Sequence, residues 1–216
     1  MNALILRILL VLLVVTKPFM AWADNQILIL GDSLSAAYGL KQHQGWVQLL
    51  QDTYEEQKKP IKLINASISG ETTGGALRRL EGILASHQPS HVLIELGGND
   101  GLRGFPIPKM QQNLTALIKQ SQAAGAEVAV MAIRIPPNYG PRYTQMFEAS
   151  FATVAEQQGA HLLPFFVEQV ATDGSLMQND NIHPNAEAQP LLRDIMAEHI
   201  ETWLAAPQLS STNAAK

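Results

Sequence analysis

Five short apolar runs, each followed by a longer stretch, constrain the fold of this chain more than any other feature. The runs are Gln26–Leu30, Lys62–Ala66, His91–Leu96, Glu127–Ile133 and His161–Leu163. They are rich in Ile, Leu and Val and shorter than ordinary helices, as buried strands are. The stretches between them carry helical spacing. Gly45–Gln57 places Trp46, Leu49, Leu50 and Tyr54 on one face, and Gly75–Ser86 does so through Leu77, Leu80, Ile83 and Leu84. Pro108–Ala124, Tyr143–Gln158 and Glu187–Leu204 are predicted helices too, the first with proline in its first turn and closed by Gly125. Strands that alternate with helices predict an α/β domain with a parallel sheet. Strands this uniformly apolar fit a sheet covered on both faces. No internal repeat, low-complexity linker or charge block divides the chain, so one domain is expected.

In such a sheet the ligand sits beyond the carboxyl ends of the strands. Chemistry should therefore follow each strand directly. After the first comes Gly31-Asp32-Ser33, after the second "SISGETT" with Gly70, and after the third "GGNDG" with Asn99. Near the C-terminus stands "NDNIHPN", with Asp180 and His183. These are the residue types of acyl transfer. A serine hydroxyl needs a neighbouring base to become a nucleophile, and neutral imidazole is one near pH 7. A carboxylate on the other ring nitrogen fixes the tautomer and stabilises the imidazolium. The Ser33 N–H, the Gly70 N–H and the Asn99 amide are candidate donors to the oxyanion of a tetrahedral intermediate. Asp180, three residues before His183, is the expected triad acid, and Pro184 biases His183 away from helix. Asp32 adjoins Ser33 and is expected to brace the loop. Singly, each residue has a blander explanation: Ser33 as a helix N-cap, Gly70 as a turn, Asn99 in an Asx-turn, His183 as a surface histidine. Together, on loops of one sheet, they favour chemistry.

The blocks "GDSLS", "SISGETT", "GGND" and "DNIHPN" resemble the four conserved blocks of the SGNH, or GDSL, hydrolase family. "ELGGNDGLRG" and "IRIPPNYGPRY" are similar to stretches of its bacterial periplasmic branch, whose enzymes are thioesterase, lysophospholipase and arylesterase with protease-like activity on esters. The resemblance implies a flavodoxin-like α/β/α sandwich with a five-stranded parallel sheet. It implies Ser33 as nucleophile, His183 as base, Asp180 as its partner, and Ser33, Gly70 and Asn99 as the oxyanion hole. No metal or cofactor is implied. One departure is Asn181-Ile182 between Asp180 and His183, where many members have glycine. Asn tolerates the left-handed conformation such a turn uses.

Two further loops flank the expected site. "GLRGFPIP" brings Leu102 and Phe105, and "RIPPNYGPRY" brings Ile135, Pro136 and Tyr139. Leu102, Ile135, Pro136 and Tyr139 are the expected substrate-binding residues for a fatty-acyl chain, since each buried methylene contributes about 0.8 kcal/mol. The expected function is a serine esterase acting on lysophospholipids, aryl and fatty-acyl esters and acyl-CoA. A carbohydrate acetyl esterase on the same fold is the alternative, and a non-catalytic flavodoxin-like binder a lesser one.

Composition narrows the rest. With no cysteine there is no thiolate nucleophile and no disulfide. The six histidines lack metal-ligand spacing, and there is no dinucleotide or phosphate-loop glycine fingerprint. A net charge of −4 argues against a nucleic-acid partner. The N-terminus has Arg7, an apolar run from Ile8 to Val15, and "AWA" at Ala21–Ala23, the tripartite pattern of a secretory signal. That run is too short for a bilayer span, which takes roughly 20 residues. The expectation is a signal peptide over 1–23, a hydrolase domain over 24–206, a flexible tail over 207–216, a periplasmic location, no integral span, and a monomer acting on a small lipid or ester.

Overall fold

The computed structural model describes residues 25–207. The expected signal segment, and all of the expected tail but Pro207, lie outside the described residues. Five strands and six α-helices follow in the order β1 (Asn25–Gly31), α1 (Trp46–Glu56), β2 (Ile61–Asn65), α2 (Thr73–His87), β3 (His91–Glu95), α3 (Gly98–Leu102), α4 (Ile107–Ala123), β4 (Glu127–Met131), α5 (Pro141–Gln158), β5 (His161–Leu163) and α6 (Gln189–Ala205). All pairings are parallel, and the strand order is β2-β1-β3-β4-β5. The central strand is therefore β3, with β1 beside it.

This order explains the layers. The chain steps from β1 to β2 towards one edge, then reverses past β1 to β3 and continues to β5. Right-handed crossovers place the connecting helices on opposite faces before and after such a reversal. Accordingly α1 packs with α6, while α2, α4 and α5 pack in a row. The result is the α/β/α sandwich that the motifs implied. The strands are covered on both sides: Ile27, Leu28, Ile29, Leu30, Val92, Leu93 and Ile94 are all fully buried. Trp46, Leu50 and Tyr54 of α1 and Met196, Ile200 and Trp203 of α6 close one side. Leu80, Leu114, Phe147 and Phe151 close the other.

The reversal leaves a crevice between the ends of β1 and β3, where ligands bind in folds of this order. Most predicted elements match within two residues. Three differences concern the functional end. The helix suggested at Ser33 is a succession of turns. One helical bond, Ala36 N–H to Asp32 O (3.0 Å), is followed by a wider one, Tyr38 N–H to Ser33 O (3.2 Å), and Ala37 turns to φ 56°. A left-handed residue ends helical propagation there. The "GGNDG" stretch is the short helix α3 rather than a loop. The fourth strand stops at Met131, and Ala132–Pro136 runs on above the crevice as irregular chain.

Candidate active site

Each block reaches the crevice by its own route. β1 ends at Gly31, and Asp32 and Ser33 emerge at its tip. The chain after β2 stays alongside β1, with Ala66 N–H donating to Ile29 O (2.9 Å) and Ile68 N–H to Gly31 O (3.1 Å). That extension delivers Ser69 and Gly70, the latter at φ 77°, a conformation that favours glycine. β3 delivers Gly97 at φ 120° and then Asn99 in the first turn of α3. The fourth segment is a tight loop. Met177 bridges Pro184 antiparallel, Gln178 N–H donates to His183 O (2.8 Å), and Asn181 N–H donates to Gln178 O (3.0 Å). Asn181 sits at φ 56°, so asparagine takes the left-handed position for which glycine is the commoner choice.

The four segments bring Ser33, Gly70, Asn99 and His183 to one cavity. His183 Nε2 lies 2.8 Å from Ser33 Oγ, and His183 Nδ1 lies 2.7 Å from Asp180 Oδ2. Asp180 Oδ1 also accepts from the backbone N–H groups of Ile182 and His183, both at 3.0 Å. Burial pushes the Asp180 carboxyl up, but the His183 N–H, the His183 ring and the Ile182 N–H outweigh it and hold it at about 2. Asp180 is thus ionised and only accepts, which places the proton on Nδ1 and leaves Nε2 free to accept from Ser33. Tyr38 packs against the His183 ring at a tilt of 39°, 4.4 Å between centroids, and Gln178 Nε2 ties the loops together by donating to Tyr38 O (2.8 Å) and Pro184 O (3.1 Å).

Asp32 is the brace that the sequence suggested, and its contacts are specific. Its Oδ1 accepts from Leu34 N–H (3.1 Å), and its Oδ2 accepts from Asn99 Nδ2 (3.0 Å). The amide of Asn99 is therefore oriented by Asp32, with its second N–H unengaged beside the cavity. Arg103 Nη2 donates to Gly70 O (2.9 Å) and fixes that turn from outside. Sequence reasoning missed this Arg103 contact. It also missed Glu95, the last residue of β3, buried directly behind the Asp32 turn. A single acid in an otherwise apolar strand was the available signal for Glu95.

The cavity has a volume of about 770 Å³. Leu102, Ile135 and Pro136 line it as expected, together with Ile133, Phe165 and Val167. Tyr139 does not. It lines a separate surface depression with Tyr143, and its hydroxyl donates to Leu102 O (2.9 Å). That bond ties Tyr139 to the loop that carries Leu102, so of the expected substrate-binding residues it is the one placed outside the cavity lining. Phe105 is likewise exposed and outside the cavity lining. Arg134 and Glu168 form an exposed ion pair across the cavity rim.

A crevice at the reversal of a doubly wound sheet, holding a Ser-His-Asp relay, is the arrangement of a serine hydrolase. The chain belongs to the GDSL-like Lipase/Acylhydrolase family, whose model matches residues 29–190. It is 45% identical over 192 residues to Esterase TesA of Pseudomonas aeruginosa, covering 89% of this chain and 94% of that protein. It is 44% identical over 190 residues to Thioesterase 1/protease 1/lysophospholipase L1 of Escherichia coli K12, covering 88% of this chain and 90% of that one. Among solved structures, the psychrotrophic esterase EstA from Pseudoalteromonas sp., inhibited by monoethylphosphonate, superposes with a TM-score of 0.84. It is 62% identical and covers 85% of this chain and all of its own. The protein is a GDSL-type serine esterase.

Proposed function

We propose that Ser33 is the nucleophile of this esterase, that His183 is its general base and Asp180 the carboxylate that orients it. Ser33 and Gly70 N–H groups and the Asn99 amide receive the oxyanion. The continuous Ser33–His183–Asp180 hydrogen-bond relay is the observation that carries this reading. The Ser33 proton passes to His183 Nε2 as Oγ attacks the ester or thioester carbonyl. His183 then returns that proton to the departing alcohol or thiol. Water attacks the acyl-Ser33 by the same route in reverse.

The apolar lining of the cavity supports acyl chains of some length as substrates. Fatty-acyl and aryl esters, lysophospholipids and acyl thioesters are the proposed classes, in keeping with the names of the relatives. All five proposed groups come from one chain, which supports a monomer as the active unit. The signal-like first 23 residues support export to the periplasm, where lysophospholipids and other esters are at hand. Among the described residues no helix is long and apolar enough to cross a membrane.

A panel of p-nitrophenyl esters from C4 to C12, with lysophosphatidylcholine and acetyl-xylan, tests both parts. Activity rising with chain length and weak on acetyl-xylan is expected. A flat or falling series would sink the acyl-groove assignment. Ser33→Ala with undiminished ester hydrolysis in a folded protein would sink the nucleophile.

A further inference from the structure

Glu95 is a carboxyl group where the fold has no obvious use for one. It is 0% exposed and lies at the sheet's carboxyl edge, behind the turn that carries Ser33. Its Oε2 accepts from Ser35 Oγ–H (2.8 Å) and from Asp32 N–H (3.3 Å). Its Oε1 is buried and meets no donor. It packs so close to the backbone of β1 that a Cβ on Gly31 would lie 2.6 Å from Oε2. Asp32, the next carboxyl, is also buried and accepts from Leu34 N–H and Asn99 Nδ2. A chain of contacts thus runs from Glu95, through the Asp32 backbone and side chain, to the Asn99 amide.

Two neighbouring buried carboxyls do not both ionise readily, because like charges repel strongly away from water. Their surroundings decide which one carries the charge. Asp32 has a donor on each oxygen, and both favour its ionised form. Glu95 has one oxygen without a donor, and the Asp32 carboxyl is the neighbouring charge that acts on it. Burial raises both groups, and the Asp32 charge raises Glu95 further, well above the ordinary carboxylate range.

We propose that Glu95 is a positioning residue that works as a neutral carboxylic acid. It anchors the Asp32–Ser35 turn to the end of β3 and leaves the pair's single negative charge on Asp32, which aims the Asn99 amide into the cavity. An ionised Glu95 would push that charge off Asp32 and loosen the amide. An apolar residue would leave the Asp32 N–H and the Ser35 hydroxyl without their acceptor. The inference rests on the proposed roles of Ser33 and Asn99.

The test compares Glu95→Gln and Glu95→Leu. Gln keeps a neutral oxygen acceptor, and Leu keeps the volume without one. Rates are counted per active site titrated with a fluorophosphonate. Glu95→Gln is expected to keep kcat within about threefold, whereas Glu95→Leu loses about tenfold or more with KM nearly unchanged. Infrared difference spectra at neutral pH, wild type minus Glu95→Gln, should show the carbonyl stretch of a protonated carboxylic acid. Full kcat in Glu95→Leu, a Leu-like loss in Glu95→Gln, or no acid band would each overturn the proposal. The infrared band needs no turnover and is read even where Leu fails to fold. Failure of the fluorophosphonate to label wild-type Ser33 would instead overturn the nucleophile assignment and leave the band's meaning intact.

Discussion

Asn99→Ala separates two jobs of one amide. The first is the proposed catalytic one. Losing one donor to the oxyanion costs about 2.7–4 kcal/mol in the transition state, or about 10²–10³ in kcat. The second is structural. Asn99 Nδ2 donates to Asp32 Oδ2 at 3.0 Å, and Asp32 is only 4% exposed. A hydrogen bond to a charged group contributes about 1.5–3 kcal/mol to stability. In a domain of this size each kcal/mol moves Tm by about 2–4 °C. The variant should therefore melt about 3–12 °C lower and turn over about 10²–10³ more slowly, with KM for a short ester little changed. Circular-dichroism melts and steady-state kinetics on p-nitrophenyl butyrate read the two effects independently. A normal melting drop with less than a tenfold loss of kcat would show that Asn99 braces Asp32 and does not receive the oxyanion.

Asp180→Asn should lower kcat by about 10³–10⁴, through the wrong imidazole tautomer. It should also change the acid limb of stability. Asp180 is held at about 2, against an unfolded value of about 3.9, so its contribution is present above pH 4 and lost as pH falls through 2. The gap between wild-type and variant melting temperatures should be constant above pH 5, narrow as pH falls towards 2 and close only below it. A gap that does not narrow between pH 5 and pH 2 would rule out ionised Asp180 as its source. Gly101→Ala places a methyl 2.6 Å from Phe147 Cε2 and 3.1 Å from Ile135 Cγ2. Overpacking of this kind costs about 1–3 kcal/mol. Because Ile135 lines the cavity, KM for C12 esters should change more than KM for C4 esters, and equal changes would detach Ile135 from the acyl path.

The site was easier to read from the sequence than the structure around it, for a physical reason. In a doubly wound sheet the functional groups stand just past strand ends, and the strands themselves are visible as apolar runs. Ser33, Gly70 and Asn99 stand just beyond the runs Gln26–Leu30, Lys62–Ala66 and His91–Leu96, and the residue types of the four blocks together singled them out. Asp180 and His183 follow no strand, and they were legible because three residues of loop suffice to join them. Tyr139 misled because position in a loop does not say which way a ring points. Its hydroxyl is used by Leu102 O, so the ring faces the loop it supports. The helix suggested at Ser33 failed because Ala37 turns left-handed, a choice that no residue type in "SLSAAYG" announces.

Glu95 shows where local reading stops. A strand buried on both faces leaves no place for a charge, so an acid within "HVLIEL" requires a partner. The sequence contains 19 acidic residues and does not say which neighbour that is. Only the parallel register, Gly31 opposite Glu95, brings the carboxyl beside the Asp32 turn. That same register sets Ser33 and Asn99 at adjacent strand tips. The pairing of β1 with β3 therefore determines both the spacing of the proposed catalytic groups and the contact that braces the Asp32 turn. A slip of one residue would turn Glu95 to the opposite face of the sheet. It would also remove the acceptor from Asp32 N–H. Register, the proposed nucleophile and the proposed oxyanion donor are thus set together, and the buried acid depends on the same pairing.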